Sequence, residues 1–402
     1  MPTLPVYLDN HSTTCTDPRV VEAMLPYFHT LYGNAASASH RFGWLAADAV
    51  DRAREQVASS IGAEPREIVF TAGATESNNL AIKGALPGLK AKGDHIVTAA
   101  TEHRAVLDPL RRLAREDGWS LTILPTDRFG TVSPEAVAEA LTDRTVLVSI
   151  MAAKNEVGTI SPSAEIGRLC RQRGILFHTD ATQGLGKIPI DVEANSIDLL
   201  SLSAHKFHGP KGIGALYVRR RGARFRLRPL FDGGGHERGL RSGTLPVPLI
   251  VGLGEAAEIA SREQSEESAR LLGLRERLHA KIVERIEGVR LNGHPTDRLP
   301  NNLNLSFEEV EGEGLLMALP DLAVSSGSAC TSAEPEPSHV LRALGVEESL
   351  ARASLRFGLG RFNTDEEIDF AADYVADAVA RLRRLQSRDV VARFTPVPFQ
   401  DL

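Results

Sequence analysis

From Glu67 to Val218 the sequence alternates short apolar runs with stretches of helical periodicity, and this alternation limits the fold more than any other feature. The runs fall at 68–71, 95–99, 121–124, 146–151, 175–178, 199–201 and 214–218. Most are hydrophobic throughout rather than at every second residue, which is how strands buried on both faces read. Separated by helices, they predict an α/β fold: a mainly parallel seven-stranded sheet flanked by helices. Two helix starts carry serine followed by proline, Ser133-Pro134-Glu135 and Ser161-Pro162-Ser163, a capping hydroxyl before a residue suited to the first turn. Past Gly254 comes a charged amphipathic segment, 255–286, with Leu271, Leu272, Leu278 and Ile282 at helical spacing. It is expected to bridge to a smaller α+β domain over about 292–402, with strands at 302–307 and 355–357 and helices at 336–344 and 364–385. A chain of 402 residues is long enough for two domains.

Composition narrows the class. With 42% hydrophobic and 24% charged residues and a net charge of −6, disordered, collagen-like and coiled-coil readings fall away. No run approaches the ~20 apolar residues of a membrane helix, and Met1-Pro2-Thr3-Leu4-Pro5 lacks a basic region followed by an apolar one. A cytoplasmic location without a membrane partner is expected. The three cysteines, Cys15, Cys170 and Cys330, fit neither a disulfide framework nor a zinc cluster, so a cysteine that matters should matter through reactivity.

Four constellations carry chemistry. Gly73-Ala74-Thr75-Glu76-Ser77 follows a strand and opens a helix; its small residues leave backbone N–H groups unobstructed for an anion, although alone it could be only a tight turn. Asp180 ends a strand at the sheet edge where open α/β folds bind ligands, and by itself could merely cap a helix. Lys206 follows another strand in Ser203-Ala204-His205-Lys206, before a Gly209-Pro210 turn that no helix can cross. Together these supply what pyridoxal phosphate requires: a phosphate anchor, a partner for the pyridine nitrogen and a Schiff-base amine. His103, after a further strand, is placed to stack on the ring or move a proton. The fourth is the small-residue stretch ending in two prolines, about 325–337, which cannot form a core element. Cys330 within it is expected on an exposed loop as a nucleophile, whereas Cys15 and Cys170 are expected to pack as small hydrophobes.

With these motifs the chain resembles the cysteine desulfurases of the NifS/IscS type, class V aminotransferase-like enzymes of fold type I. The resemblance runs from Tyr7 to about Arg383 and also rests on Gly233-Gly234-Gly235-His236-Glu237-Arg238-Gly239, Arg241-Ser242-Gly243-Thr244 and Ser325-Ser326-Gly327-Ser328-Ala329-Cys330. It implies a large cofactor domain over 16–258 and a small domain made of 1–15 and 259–402 that presents the cysteine loop. Lys206 is implied to hold pyridoxal phosphate covalently, with Ala74, Thr75, Ser203 and His205 on its phosphate and Thr244 reaching in from the second subunit of a homodimer. Asp180 would meet the pyridine nitrogen and Gln183 the ring oxygen, while His103 and Asn155 flank the ring. Asn34 and Arg356 match positions that hold the substrate carboxylate, a task suited to a bidentate guanidinium.

The implied reaction converts L-cysteine to L-alanine, with the sulfur kept as a persulfide on Cys330. Only a thiolate is competent, and His103 is the candidate for its proton. The acceptor is a protein such as an iron–sulfur scaffold or a tRNA-thiolation protein; no metal of its own is expected, although the persulfide could briefly ligate a partner's cluster. Three departures stand out. Lys154-Asn155-Glu156 replaces the usual Asn-Asn-Glu, Ala35 replaces a proline, and the tail 387–402 is unlike the one that docks an iron–sulfur scaffold in housekeeping members. Six arginines between Arg219 and Arg228 read as a solvated strand end or a patch for an acidic partner rather than a direct nucleic-acid footprint.

Overall fold

The computed structural model describes residues 2–222, 225–326 and 337–394, with side chains to 385. Seven strands form the main sheet: β1 (Ile68–Thr71), β2 (His95–Ala99), β3 (Ser120–Leu124), β4 (Thr145–Ser149), β5 (Leu176–Asp180), β6 (Leu199–Ser203) and β7 (Gly214–Val218). Their order is β1-β7-β6-β5-β4-β2-β3, and only β7 runs against both of its neighbours. Every residue of β1, β2, β4, β5, β6 and β7 is buried, which accounts for their unbroken hydrophobic reading. The edge strand β3 is half-exposed and begins on a polar residue, Ser120.

Alternate side chains of these strands feed two cores. Phe70, Val97, Leu200 and Leu202 face one that also holds residues of helix α1 (Arg41–Ser59). Val69, Ile96, Leu147 and Leu199 face the other, under α2 (Ala74–Ala85) and α3 (Arg104–Glu116). Ser133 caps α4 (Pro134–Ala140) by accepting from Ala136 N–H, as its sequence suggests. The second serine-proline device behaves differently: α5 (Ser163–Arg173) has Pro162 as its N-cap with no side-chain bond, and Ser161 Oγ has no partner among the described residues.

The amphipathic segment is longer than its charge pattern suggests. Helix α6 runs unbroken over Val247–Arg285; Ile250, Leu253, Ala257 and Ala260 lie in the first core and Leu271, Leu274, Leu278 and Ile282 in a separate one. That second core is built on an antiparallel sheet, β8 (Val289–Leu291), β9 (Asn302–Phe307) and β10 (Ser354–Gly358), with α7 (Asp365–Phe394) laid along it. Val6 and Leu8 pack there too, and Val6–Tyr7 pairs in parallel with Leu322–Ala323, so the N-terminal segment belongs to this half. Among the described residues no helix is long and apolar enough to cross a membrane.

The cysteines divide otherwise than expected. Cys170 is buried on α5, but Cys15 is exposed, its thiol donating weakly to Thr16 O, because its segment runs over the surface between the two halves. Cys330 lies outside the described residues.

Candidate active site

The carboxyl ends of β1, β2, β4, β5 and β6 open onto a single cavity of about 1010 Å³, at the upper end of the ~300–1,000 Å³ usual for ligand pockets. His103, Asn155, Asp180, Gln183, Ser203, His205, Lys206, Ala74, Thr75 and Arg356 all line it. Residues from Ala74 to Lys206 meet because parallel strands deliver their ends to one edge, while Arg356 comes from the antiparallel sheet of the other half.

At the β1 end the chain turns through Gly73, whose φ of 149° suits glycine. Gly73 is the N-cap of α2 and offers no side-chain bond, so the first N–H groups of a twelve-residue helix face the cavity mouth. Glu76 does not obstruct them; it folds back to accept from Ala72 N–H (2.7 Å) and Arg241 Nε (3.0 Å).

Asp180 lies at the last position of β5 and is 4% exposed. Its Oδ2 accepts from Asn78 Nδ2 (2.7 Å) and Oδ1 from Thr182 N–H (3.0 Å), which fix the carboxylate in place. Lys206 ends a short turn, Ala204–Lys206, and its Nζ donates to the carbonyls of His11 and Ser12, each at 2.7 Å. The Lys206 carbonyl in turn accepts from Lys187 Nζ at 2.8 Å. Burial pulls Lys187 down to about 8.

Three histidines line the cavity. His103 is the N-cap of α3, where its Nδ1 accepts from Ala105 N–H at 3.1 Å. Burial lowers its pKa, so the neutral ring carries its proton on Nε2 and is a donor. His11 was not singled out by sequence. It is 1% exposed, its Nδ1 donates to Gln183 Oε1 (3.0 Å), and Gln183 Nε2 donates back to the His11 carbonyl (3.0 Å). Burial, then the Arg356 charge, hold it far below the usual histidine range, and its Nε2 is an unpartnered acceptor among the described residues. The only sequence signal was its place in the polar run Asn10-His11-Ser12-Thr13-Thr14. His205, lowered to about 4 by burial, bonds through Nδ1 with Thr13 Oγ1 at 3.1 Å.

Arg356, from the middle of β10, closes the other side. Its Nη2 donates to Asp9 Oδ1 (3.0 Å) and Ser12 Oγ (2.8 Å) and its Nη1 to the Asn155 carbonyl (3.2 Å), leaving Nε–H without a partner among the described residues. Asp9 also accepts from Ser325 Oγ at 2.7 Å, so one carboxylate ties the arginine to the start of the cysteine segment. Asn34 and Thr244 do not line this cavity; Asn34 is exposed, its Oδ1 capping Ala36 N–H, and Thr244 is exposed on its own loop. Lys154 does not project into the cavity as a free charge; it is buried behind the wall, facing Glu102.

The donor set fits pyridoxal phosphate: free N–H groups and Thr75, Ser203 and His205 for a phosphate, a buried carboxylate for a protonated ring nitrogen, and an amine. Comparisons with known proteins agree. The aminotransferase class-V family model matches residues 6–370. The chain is 57% identical to the cysteine desulfurase IscS of Anaeromyxobacter dehalogenans (strain 2CP-C), over 95% of this chain and 94% of that protein. Among solved structures, a NifS-like protein superposes with a TM-score of 0.87 at 38% identity, covering 94% of this chain and all of that one. A structure described as SspA in complex with cysteine gives 0.79 at 39% identity, over 90% of this chain and 100% of that one.

Proposed function

The chain belongs to the aminotransferase class-V family, as a pyridoxal phosphate-dependent cysteine desulfurase, and on that premise we propose how its residues divide the work. When bound, pyridoxal phosphate supplies an electron-accepting ring that stabilises a carbanion at the substrate α-carbon. The α2 N-terminus, Ser203 and His205 would hold the phosphate, and the Asp180 carboxylate, fixed by Asn78 and Thr182, would pair with the ring nitrogen. Lys206 would anchor the cofactor and, as a free amine, would take the substrate α-proton at Nζ; the His11 and Ser12 carbonyls are where that amine rests in the free protein. Gln183 and Asn155 would orient the ring, and the open Nε–H edge of Arg356 would receive the substrate carboxylate.

The cysteine sulfur then moves to Cys330. The thiolate attacks it, a sulfur–sulfur bond forms as the carbon–sulfur bond breaks, and the carbon fragment gains a proton to become alanine. His103, with its proton on Nε2 and Nδ1 accepting from Ala105 N–H, takes the Cys330 thiol proton when Nδ1 releases that N–H, and the imidazolium so formed returns a proton from Nε2 to the carbon fragment. The persulfide passes to an acceptor protein within iron–sulfur cluster biogenesis, or to a thiolation protein. The observation that carries this reading is the convergence of the α2 N-terminus, Asp180 and Lys206 on one cavity.

A homodimer accompanies the reading. Leu25, Phe28, Tyr32, Phe42 and Trp44 expose apolar area on one stretch of surface, and Thr244, implied in the phosphate site, lies off its own chain's cavity. Purified protein is expected to be yellow, to sediment as a dimer, and to release sulfide and alanine from cysteine and a reductant. Cys330→Ser should retain the colour and lose sulfide release; release at the parent rate would remove Cys330 from the reaction. Lys206→Ala should lose the absorbance of the covalently held cofactor.

A further inference from the structure

Glu102 and Lys154 form a charged pair sealed in the wall of the cavity, and no step above uses either. Their side chains are 0% and 1% exposed, with Lys154 Nζ 3.9 Å from Glu102 Oε1. Oε1 accepts from Met151 N–H at 2.7 Å, while Oε2 and Nζ have no hydrogen-bond partner among the described residues. Each neighbours in sequence a residue that lines the cavity, Glu102 beside His103 and Lys154 beside Asn155, and Met151 lines it as well. Glu102 faces Lys154 and, at longer range, Asp180; its carbonyl accepts from His339 Nε2 at 3.1 Å, and His103 and Arg104 follow it on α3. Lys154 faces Glu102 alone.

A single buried ion here would cost several kcal/mol. It would also disturb the site. A second lone carboxylate competes with Asp180 for a proton, and a lone ammonium opposes the proton on a ring nitrogen. As a pair they sum to zero, whichever of them carries the shared proton. Burial pushes Glu102 up, to about 7 even with Lys154 beside it, and pushes Lys154 downward, so each alone would change charge nearer neutral pH than it would in water.

We propose that Glu102 and Lys154 act as one net-neutral unit that keeps the charge at the Asp180 end of the cavity constant with pH, which makes Lys154 a positioning residue for the cofactor ring. The proposal rests on Asp180 facing the ring nitrogen.

The test is a double-variant cycle read by the visible absorption of the holoenzyme as a function of pH. Lys154→Met should add a titration step above pH 7, where the lone Glu102 ionises. Glu102→Gln should add a step on the acid side, where the lone Lys154 takes up a proton as pH falls. The double variant should show neither. In the cofactor-free proteins, the urea midpoint of Lys154→Met should fall more steeply as pH rises than that of the parent or the double variant, because the lone Glu102, its pKa raised by folding, loses stability upward through that pKa. A Lys154→Met curve that overlays the parent, or a step that survives in the double variant, overturns the proposal. A role in packing alone gives no step and no rescue by the second substitution. Should Lys154→Met fail to fold, Glu102→Gln decides by itself, since a curve identical to the parent's also overturns it. A colourless parent would instead refute the cofactor reading.

Discussion

Asp180 and its two partners offer the sharpest test at the scale of single residues. Asparagine at 180 keeps an acceptor for Thr182 N–H while deleting the charge, so Asp180→Asn should still bind cofactor but lose about 10²-fold or more in kcat. Steady-state kinetics beside an absorption spectrum check this, and a variant as fast as the parent would sink it. The cysteines give a second prediction. In a Cys330→Ser background, iodoacetamide should label exposed Cys15 and spare Cys170, whose thiol burial pushes up and seals from solvent. Peptide mass mapping reads the outcome, and equal labelling would contradict the fold around α5. Asp180, Lys206 and His103 were legible because each follows an apolar strand run, which fixes its place at a sheet edge. His11 was not, since nothing local predicts that an N-terminal segment from the other half will pass over Lys206. The pairing of Lys154 with Glu102 was hidden for a related reason: position in sequence gives the neighbour of Lys154, Asn155, but not the direction of its side chain.

Among elements, α6 packs most tightly where it crosses α1. A Cβ on Gly254 would sit 2.6 Å from Ala53 Cα and 2.7 Å from its Cβ, so the close approach needs glycine. Alanine would gain about 1 kcal/mol of helix propensity, yet overpacking against backbone costs ~1–3 kcal/mol, and the clash wins. Gly254→Ala should therefore lower stability by up to about 2 kcal/mol in urea unfolding; a raised midpoint would show that α1 yields. Strands β1, β2 and β7 matched their apolar runs end to end, whereas β5 and β6 each ran two residues further, because Thr179-Asp180 and Leu202-Ser203 are half polar and their pairing is set by neighbouring strands. Ser161 misled for the converse reason: the serine-proline pattern is local, but Ser161 N–H is already committed to the Ala152 carbonyl, which leaves Pro162 to start α5.

For the whole molecule, acid should be destabilising. Burial holds His178 and His205 at about 4 and His208 at about 3. Because the unfolded chain binds these protons from about pH 6.5 downward, the folded state loses stability as pH falls from there through pH 4. Glu156, pushed up to about 7 by burial, works in the opposite direction over that range. His11 adds to the histidines, so four acid-sensitive imidazoles oppose one glutamate between about pH 7 and 5, and Asp17, held below the usual carboxylate range by Arg19 and Arg361, adds its own loss only near and below the ordinary aspartate pKa. Calorimetry of the cofactor-free protein should find a lower Tm at pH 5 than at pH 7, and a higher one would reverse this balance. The scale of the whole molecule was also where sequence said least: Thr244 and Asn34 entered through resemblance alone, and neither meets its own chain's cavity.

Helix α6 has one more consequence. Its 39 residues make a rod of about 58 Å whose first half is embedded beneath the Lys206 turn and whose second half lies under the strand that carries Arg356. Neither half can melt without fraying a helix the other needs, so the two cores share a single cooperative fate. The distance between amine and guanidinium is thereby set by a continuous backbone rather than by a linker, and damage to the distal core should reach the catalytic lysine as lost cooperativity rather than as a local defect.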